Sequence, residues 1–84
     1  MKYELLIERR AQRALAKIVK PSQDRIISAI RRLADDPRPA GVKKLSGRDA
    51  LRIRVGSYRV IYEINDAKLV ALVVDVGDRR DVYR

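Results

Sequence analysis

Leu51-Arg52-Ile53-Arg54-Val55-Gly56-Ser57-Tyr58-Arg59-Val60-Ile61-Tyr62-Glu63-Ile64 reads as two strands joined by a two-residue turn. Leu51, Ile53 and Val55 alternate with Arg52 and Arg54, and Tyr58, Val60, Tyr62 and Ile64 alternate with Arg59, Ile61 and Glu63. That period of two belongs to a strand with one buried face. Gly56-Ser57 places glycine first, as hairpin turns with positive φ at the first central residue require. Register then follows from the turn: Val55 faces Tyr58, Arg54 faces Arg59, Ile53 faces Val60, Arg52 faces Ile61 and Leu51 faces Tyr62. Arg52, Arg54 and Arg59 share one face, and the large apolar partners other than Ile61 share the opposite one.

Leu69 to Val76 is a third strand, apolar on both faces as a central or doubly covered strand is. Strict alternation puts Val70, Leu72 and Val74 on the arginine face. Upstream, Tyr3, Leu5 and Ile7 alternate in a short strand, and Ala11, Ala14, Leu15, Ile18 and Val19 form a helical stripe opposite Arg9, Arg10, Arg13 and Lys17. The first helix is expected over about residues 8–19. Pro21-Ser22 restarts the chain, with Asp24 expected in the first turn of a second helix. Ile26, Ile27, Ile30, Leu33 and Ala34 form its stripe, and it is expected to stop at Asp36, before Pro37. The order predicts one α+β domain over residues 1–84: an N-terminal strand, a two-helix hairpin and a three-stranded antiparallel meander. Both helices pack on one face of the sheet.

The chain has 84 residues, 46% of them hydrophobic, with 20 Lys or Arg against 11 Asp or Glu and a formal charge of +9. Such a composition is globular, and its charge points to a polyanionic partner, nucleic acid first. With neither Cys nor His, disulfides, thiolate nucleophiles, imidazole bases and the usual zinc ligands are excluded. Neither a metal nor a cofactor is expected. The longest apolar run, Leu69 to Val74, is too short for a bilayer, and no apolar segment of signal-peptide length opens the chain, so a cytoplasmic protein without membrane contact is expected.

From Arg38 to Arg59 the net charge is +6 in 22 residues. Lys43, Lys44 and Arg48 in this window, with Arg80 and Arg84 near the C-terminus, are the expected nucleic-acid-binding residues. An ordinary solubilising surface accounts for part of such charge. Arginines placed directly opposite each other repel, however, unless they splay into solvent or an anion sits between them. The segment Val76-Gly77-Asp78-Arg79-Arg80-Asp81-Val82-Tyr83-Arg84 delivers further arginines and a tyrosine beside this face, with Gly77 permitting a sharp turn. Two readings of Tyr83 stay open here: an aromatic anchor for the tail, or a functional group.

Asp36-Pro37-Arg38-Pro39, Lys43-Lys44-Leu45-Ser46-Gly47, the arginine hairpin and the terminal Gly-x-Arg-Arg-Asp-Val-Tyr together resemble the RelE branch of the RelE/ParE toxin superfamily. The resemblance implies a metal-independent endoribonuclease that cuts mRNA in the ribosomal A site, contacts rRNA, and is held inactive by a cognate antitoxin. It thereby directs Lys43, Lys44, Arg48, Arg80 and Arg84 to RNA. A ribose 2′-hydroxyl attacks the adjacent phosphate, leaving a cyclic phosphate and a 5′-hydroxyl. The implied catalytic residues are Arg52, Arg54, Arg59, Arg79 and Tyr83: Arg59 and Arg79 as transition-state cations, and Tyr83 activating the 2′-hydroxyl or stacking on a base. Arg52 stands where relatives often carry lysine, and a guanidinium does not serve as a proton acceptor near neutral pH, so its role is electrostatic. Asp78 stands where many relatives carry histidine. The alternatives are a ParE-like poison of DNA gyrase, which needs no base, and a simple nucleic-acid-binding module.

Overall fold

Val55 pairs with Tyr58, Arg54 with Arg59, Ile53 with Val60, Arg52 with Ile61 and Leu51 with Tyr62 in the computed structural model, which describes residues 2–78. The turn has the expected chemistry: Gly56 adopts φ +61°, the positive value required at the first position of a glycine-first hairpin turn. Around this hairpin the elements follow as β1 (Glu4–Ile7), α1 (Arg9–Ala16), α2 (Lys20–Arg32), β2 (Lys43–Lys44), β3 (Leu51–Val55), β4 (Tyr58–Asn65) and β5 (Val70–Asp78). They form one five-stranded sheet in the order β1-β5-β4-β3-β2.

The expected meander is β3, β4 and β5, antiparallel throughout. β1 joins it parallel to β5, with Glu4 opposite Val70 and Ile7 opposite Val73. Parallel neighbours need a long crossover, which the intervening chain with its two helices supplies. The two-residue β2 was not expected from sequence; it pairs Lys43 with Arg52 and Lys44 with Leu51 on the other edge of the sheet.

Both helices lie on the apolar face. Ala11 and Leu15 of α1, Ile26 and Ile30 of α2, and Leu33 just after it pack with Ile53, Val60, Tyr62, Val73 and Val76 of the sheet. The helices are shorter than their stripes suggest because each tightens at its end. Lys17 and Ile18 donate to the carbonyls three residues back, and the Gln23 side-chain amide caps the Leu15 carbonyl at 2.8 Å. The chain then extends at Val19, and α2 begins at Lys20. Asp24 therefore lies beyond the first turn, where it pairs with Lys20 at 3.1 Å. At the other end Leu33, Ala34 and Asp35 bond three residues back, so α2 ends before Asp36 as the chain narrows toward Pro37.

β5 departs from strict alternation through a bulge opposite Ile61 and Tyr62: Ile61 pairs with Asp75 and Tyr62 with Val73, leaving Val74 as the extra residue. The bulge places Val76 in the core, 2% exposed, and brings Asp75 opposite outward-facing Ile61. Unbroken alternation would instead have turned Asp75 into the apolar layer. β5 starts at Val70 because Leu69 takes φ +55°, closing the β4–β5 turn in the left-handed region. At its other end the strand continues through Gly77, opposite Arg59, without the sharp turn that a glycine there permits. Among the described residues no helix is long and apolar enough to cross a membrane.

Candidate functional site

The face of the sheet turned away from the helices carries the basic residues in cross-strand rows. In one row Arg54 of β3 lies opposite Arg59 of β4, which lies opposite Gly77 of β5. In the adjoining row Lys43, Arg52, Ile61 and Asp75 follow one another across β2, β3, β4 and β5. Direct cross-strand neighbours stand about 5 Å apart, so the side chains of each row are neighbours on this face.

These side chains are not all splayed into water. Arg54 is exposed, but Arg52 and Arg59 are only partly so, and the Nε atoms of both are buried. Between them Ile61 is 2% exposed although it faces away from the helices. Gly77 adds no side chain to the Arg54–Arg59 row.

Asp75 is the acidic end of its row. Its carboxylate accepts the backbone N–H of Val76 at 2.9 Å and pairs with Arg10 of α1 at 3.1 Å. Arg10 is thereby held at the β5 side of the molecule. Along the strands the face changes character: Leu6, Glu63, Val70 and Leu72, with Asp49 and Lys68, line a shallow hollow toward the β4–β5 turn. Arg54 and Arg59 therefore lie at the end of the face near Gly56, and Glu63 and Asp49 with apolar groups lie toward the other.

The basic window of the sequence is divided by the fold. Lys43 shares the face of Arg52, whereas Lys44, one residue on, pairs with Leu51 and belongs to the opposite parity. Arg48 lies in the β2–β3 loop, whose Leu45 N–H bonds the Ala50 carbonyl, at the end of β3 away from Arg54. Arg38 is committed elsewhere. Its guanidinium donates to both carboxylate oxygens of Asp66, at 3.2 and 2.9 Å, and the Tyr3 hydroxyl donates to the same carboxylate at 2.6 Å. Arg38 first, then Tyr3, holds the Asp66 carboxyl below its usual range, while the bond to Asp66 raises the Tyr3 phenol. This cluster ties the N-terminal strand, the loop after α2 and the β4–β5 turn together.

On the core side the Tyr62 hydroxyl donates to the Pro37 carbonyl at 2.6 Å. Burial pushes its phenol up to about 12. Arg79, Arg80, Tyr83 and Arg84 lie outside the described residues. The Lys43–Arg52 pairing escaped the sequence because a two-residue strand is too short to show alternation; the signal was Lys43-Lys44-Leu45 followed after one turn by Leu51-Arg52.

Residues 5–83 match the family model for the ParE toxin of type II toxin–antitoxin systems. The chain belongs to this toxin family. Within it the toxin falls on the RelE side: it is 26% identical over 87 residues to a RelE-like toxin protein of Escherichia coli, covering 99% of this chain and 92% of the relative. Its fold superposes on RelE in the archaeal RelE–RelB complex of Pyrococcus horikoshii with a TM-score of 0.85. There the identity is 30%, over 98% of this chain and 100% of the other. For a mutant of E. coli RelE in the free state the TM-score is 0.80 at 27% identity, covering 98% and 88%. For the intact E. coli RelBE complex it is 0.78 at 29%, covering 90% and 95%. Two helices on one face of a mostly antiparallel sheet is thus the RelE architecture.

Proposed function

We propose that the toxin is a ribosome-dependent mRNA endoribonuclease whose reaction is carried by the open face of the sheet. The observation that supports this most directly is the direct opposition of Arg54 and Arg59, with Arg52 two residues along β3. Two arginines on directly opposite positions repel, and such a placement suits an anion between them.

Cleavage begins when the ribose 2′-oxygen forms a bond to the adjacent phosphorus and gives up its proton. The phosphorane so formed carries more negative charge than the diester, and Arg54, Arg59 and Arg79 stabilise it. The P–O5′ bond then breaks, O5′ takes a proton from solvent water, and a 2′,3′-cyclic phosphate and a free 5′-hydroxyl remain. Arg52, a cation that does not give up its proton near neutral pH, clamps the substrate. Tyr83 is the candidate acceptor of the 2′ proton, the role that the family resemblance gives the C-terminal tyrosine. The reaction calls on neither metal nor cofactor.

The same reading gives the toxin a cytoplasmic location, rRNA contacts, and a cognate antitoxin of complementary acidic character, consistent with its +9 charge. The structures it resembles include RelE–RelB complexes. The test is primer extension on an mRNA translated in the presence of the purified protein, with a ribosome-free control. Cuts within codons that vanish without ribosomes support the proposal. Intact mRNA together with gyrase-dependent DNA breaks would instead favour a gyrase poison, the reading that the ParE description of the family model brings with it.

A further inference from the structure

The open face holds two cation pairs. Lys43 of β2 is the direct partner of Arg52, and Arg54 is the direct partner of Arg59. Arg52 and Arg54 are two residues apart on β3, so both pairs rise from the same side of the sheet. Their centres are offset by one pleat repeat along the strand and one strand spacing across it, about 8 Å in all. A single phosphate does not fill two such sites. The step matches consecutive phosphates of an extended single strand, allowing for the freedom of long side chains.

The rest of the face sets the direction. In the Lys43 row the residues beyond Arg52 are apolar Ile61 and then Asp75, and in the Arg54 row the residue beyond Arg59 is Gly77. Toward the β4–β5 turn lie Glu63 and Asp49. The cationic path therefore runs obliquely from Arg59 across β3 to the β2 edge.

We propose that Lys43 and Arg52 form a second phosphodiester subsite beside the Arg54–Arg59 pair, so that single-stranded RNA lies obliquely across β4, β3 and β2 with one phosphate on each pair. This rests on the RNA-directed reading of the face given above. Lys44 takes no part, because the edge strand turns it to the opposite parity.

The test measures binding of a single-stranded oligoribonucleotide of about ten nucleotides to the full chain, over a range of salt concentrations. Lys43→Gln lowers the slope of log affinity against log salt by about 0.7, the value for one phosphate contact on a single strand, and Lys44→Gln leaves it unchanged. In double mutants, Lys43→Gln with Arg52→Gln loses less affinity than the product of the two single losses, since both residues serve one phosphate. Lys43→Gln with Arg59→Gln loses the full product, since they serve different ones.

Equal slopes for Lys43→Gln and wild type, or equal effects of the two lysines, overturn the subsite. So does a Lys43→Gln effect confined to antitoxin binding, which would assign this row to protein carboxylates. Failure of the nuclease reading looks different: the slopes and couplings hold, yet the wild type leaves translated mRNA intact. Conversely, cleavage lost in Arg59→Ala but kept at an unchanged slope in Lys43→Gln overturns the subsite alone.

Discussion

Arg54 and Arg59 are direct cross-strand partners on the exposed face of the β3–β4 hairpin, one pair inward from the Val55–Tyr58 pair that flanks the turn. Like charges on directly opposite positions repel, and the same placement concentrates positive potential for a bound phosphate, so stability and activity should oppose each other there. Arg54→Thr is expected to stabilise the toxin by about 0.2–1 kcal/mol, a rise of a few degrees in Tm for a domain of this size. Its cleavage rate on saturated ribosomes should fall by roughly 10²–10³, as for the loss of one transition-state donor. Thermal melts and single-turnover cleavage read the two effects; a lower Tm would show that the pair is not repulsive.

Arg52→Lys separates positive charge from proton exchange. An ammonium keeps the charge and adds a group that can exchange a proton, so activity should equal or exceed that of wild type. Tyr83→Phe removes only a hydroxyl. A wild-type cleavage rate in that variant would exclude the phenol as the acceptor of the 2′ proton.

The bulge in β5 makes two nearby valines unequal. Val76 is a core residue and Val74 the extra, partly exposed one. Val76→Ala should cost about 2 kcal/mol and Val74→Ala less than about 1. Urea unfolding of the two variants checks this, and equal losses would contradict the register shift.

Tyr62 links the core to the loop after α2 through its bond to the Pro37 carbonyl. Its phenol is raised by burial from the ordinary 10 to about 12, so the neutral form is favoured in the folded state. The associated stability is complete below pH 10 and is lost as pH rises from 10 toward 12, by an amount of order 2 kcal/mol. Tyr62→Phe should cost about 1 kcal/mol at neutral pH and flatten the alkaline decline. The Tyr3 phenol, raised by its bond to Asp66, leaves a residual slope of the same sign. Urea midpoints across that pH range would show the flattening, and an unchanged decline in the variant would remove Tyr62 as its source.

The hairpin and its arginine face were legible in the amino-acid order because a two-residue turn and a period of two are local. Once Gly56-Ser57 is the loop, Arg54 has to meet Arg59, and Arg52 has to share their face. The helical stripes were legible for the same reason, though not their ends, which depend on how the chain satisfies its last carbonyls, as at Leu15 and Gln23. Tertiary structure alone decided that β1 runs parallel to β5, that β5 bulges at Val74, and that Arg38 pairs with Asp66, 28 residues away. It also decided that Lys43, but not Lys44, stands beside Arg52. Each of these is a pairing or register between two segments, set by which strand edges remain open and which charges meet once the core has closed. No local periodicity carries that information.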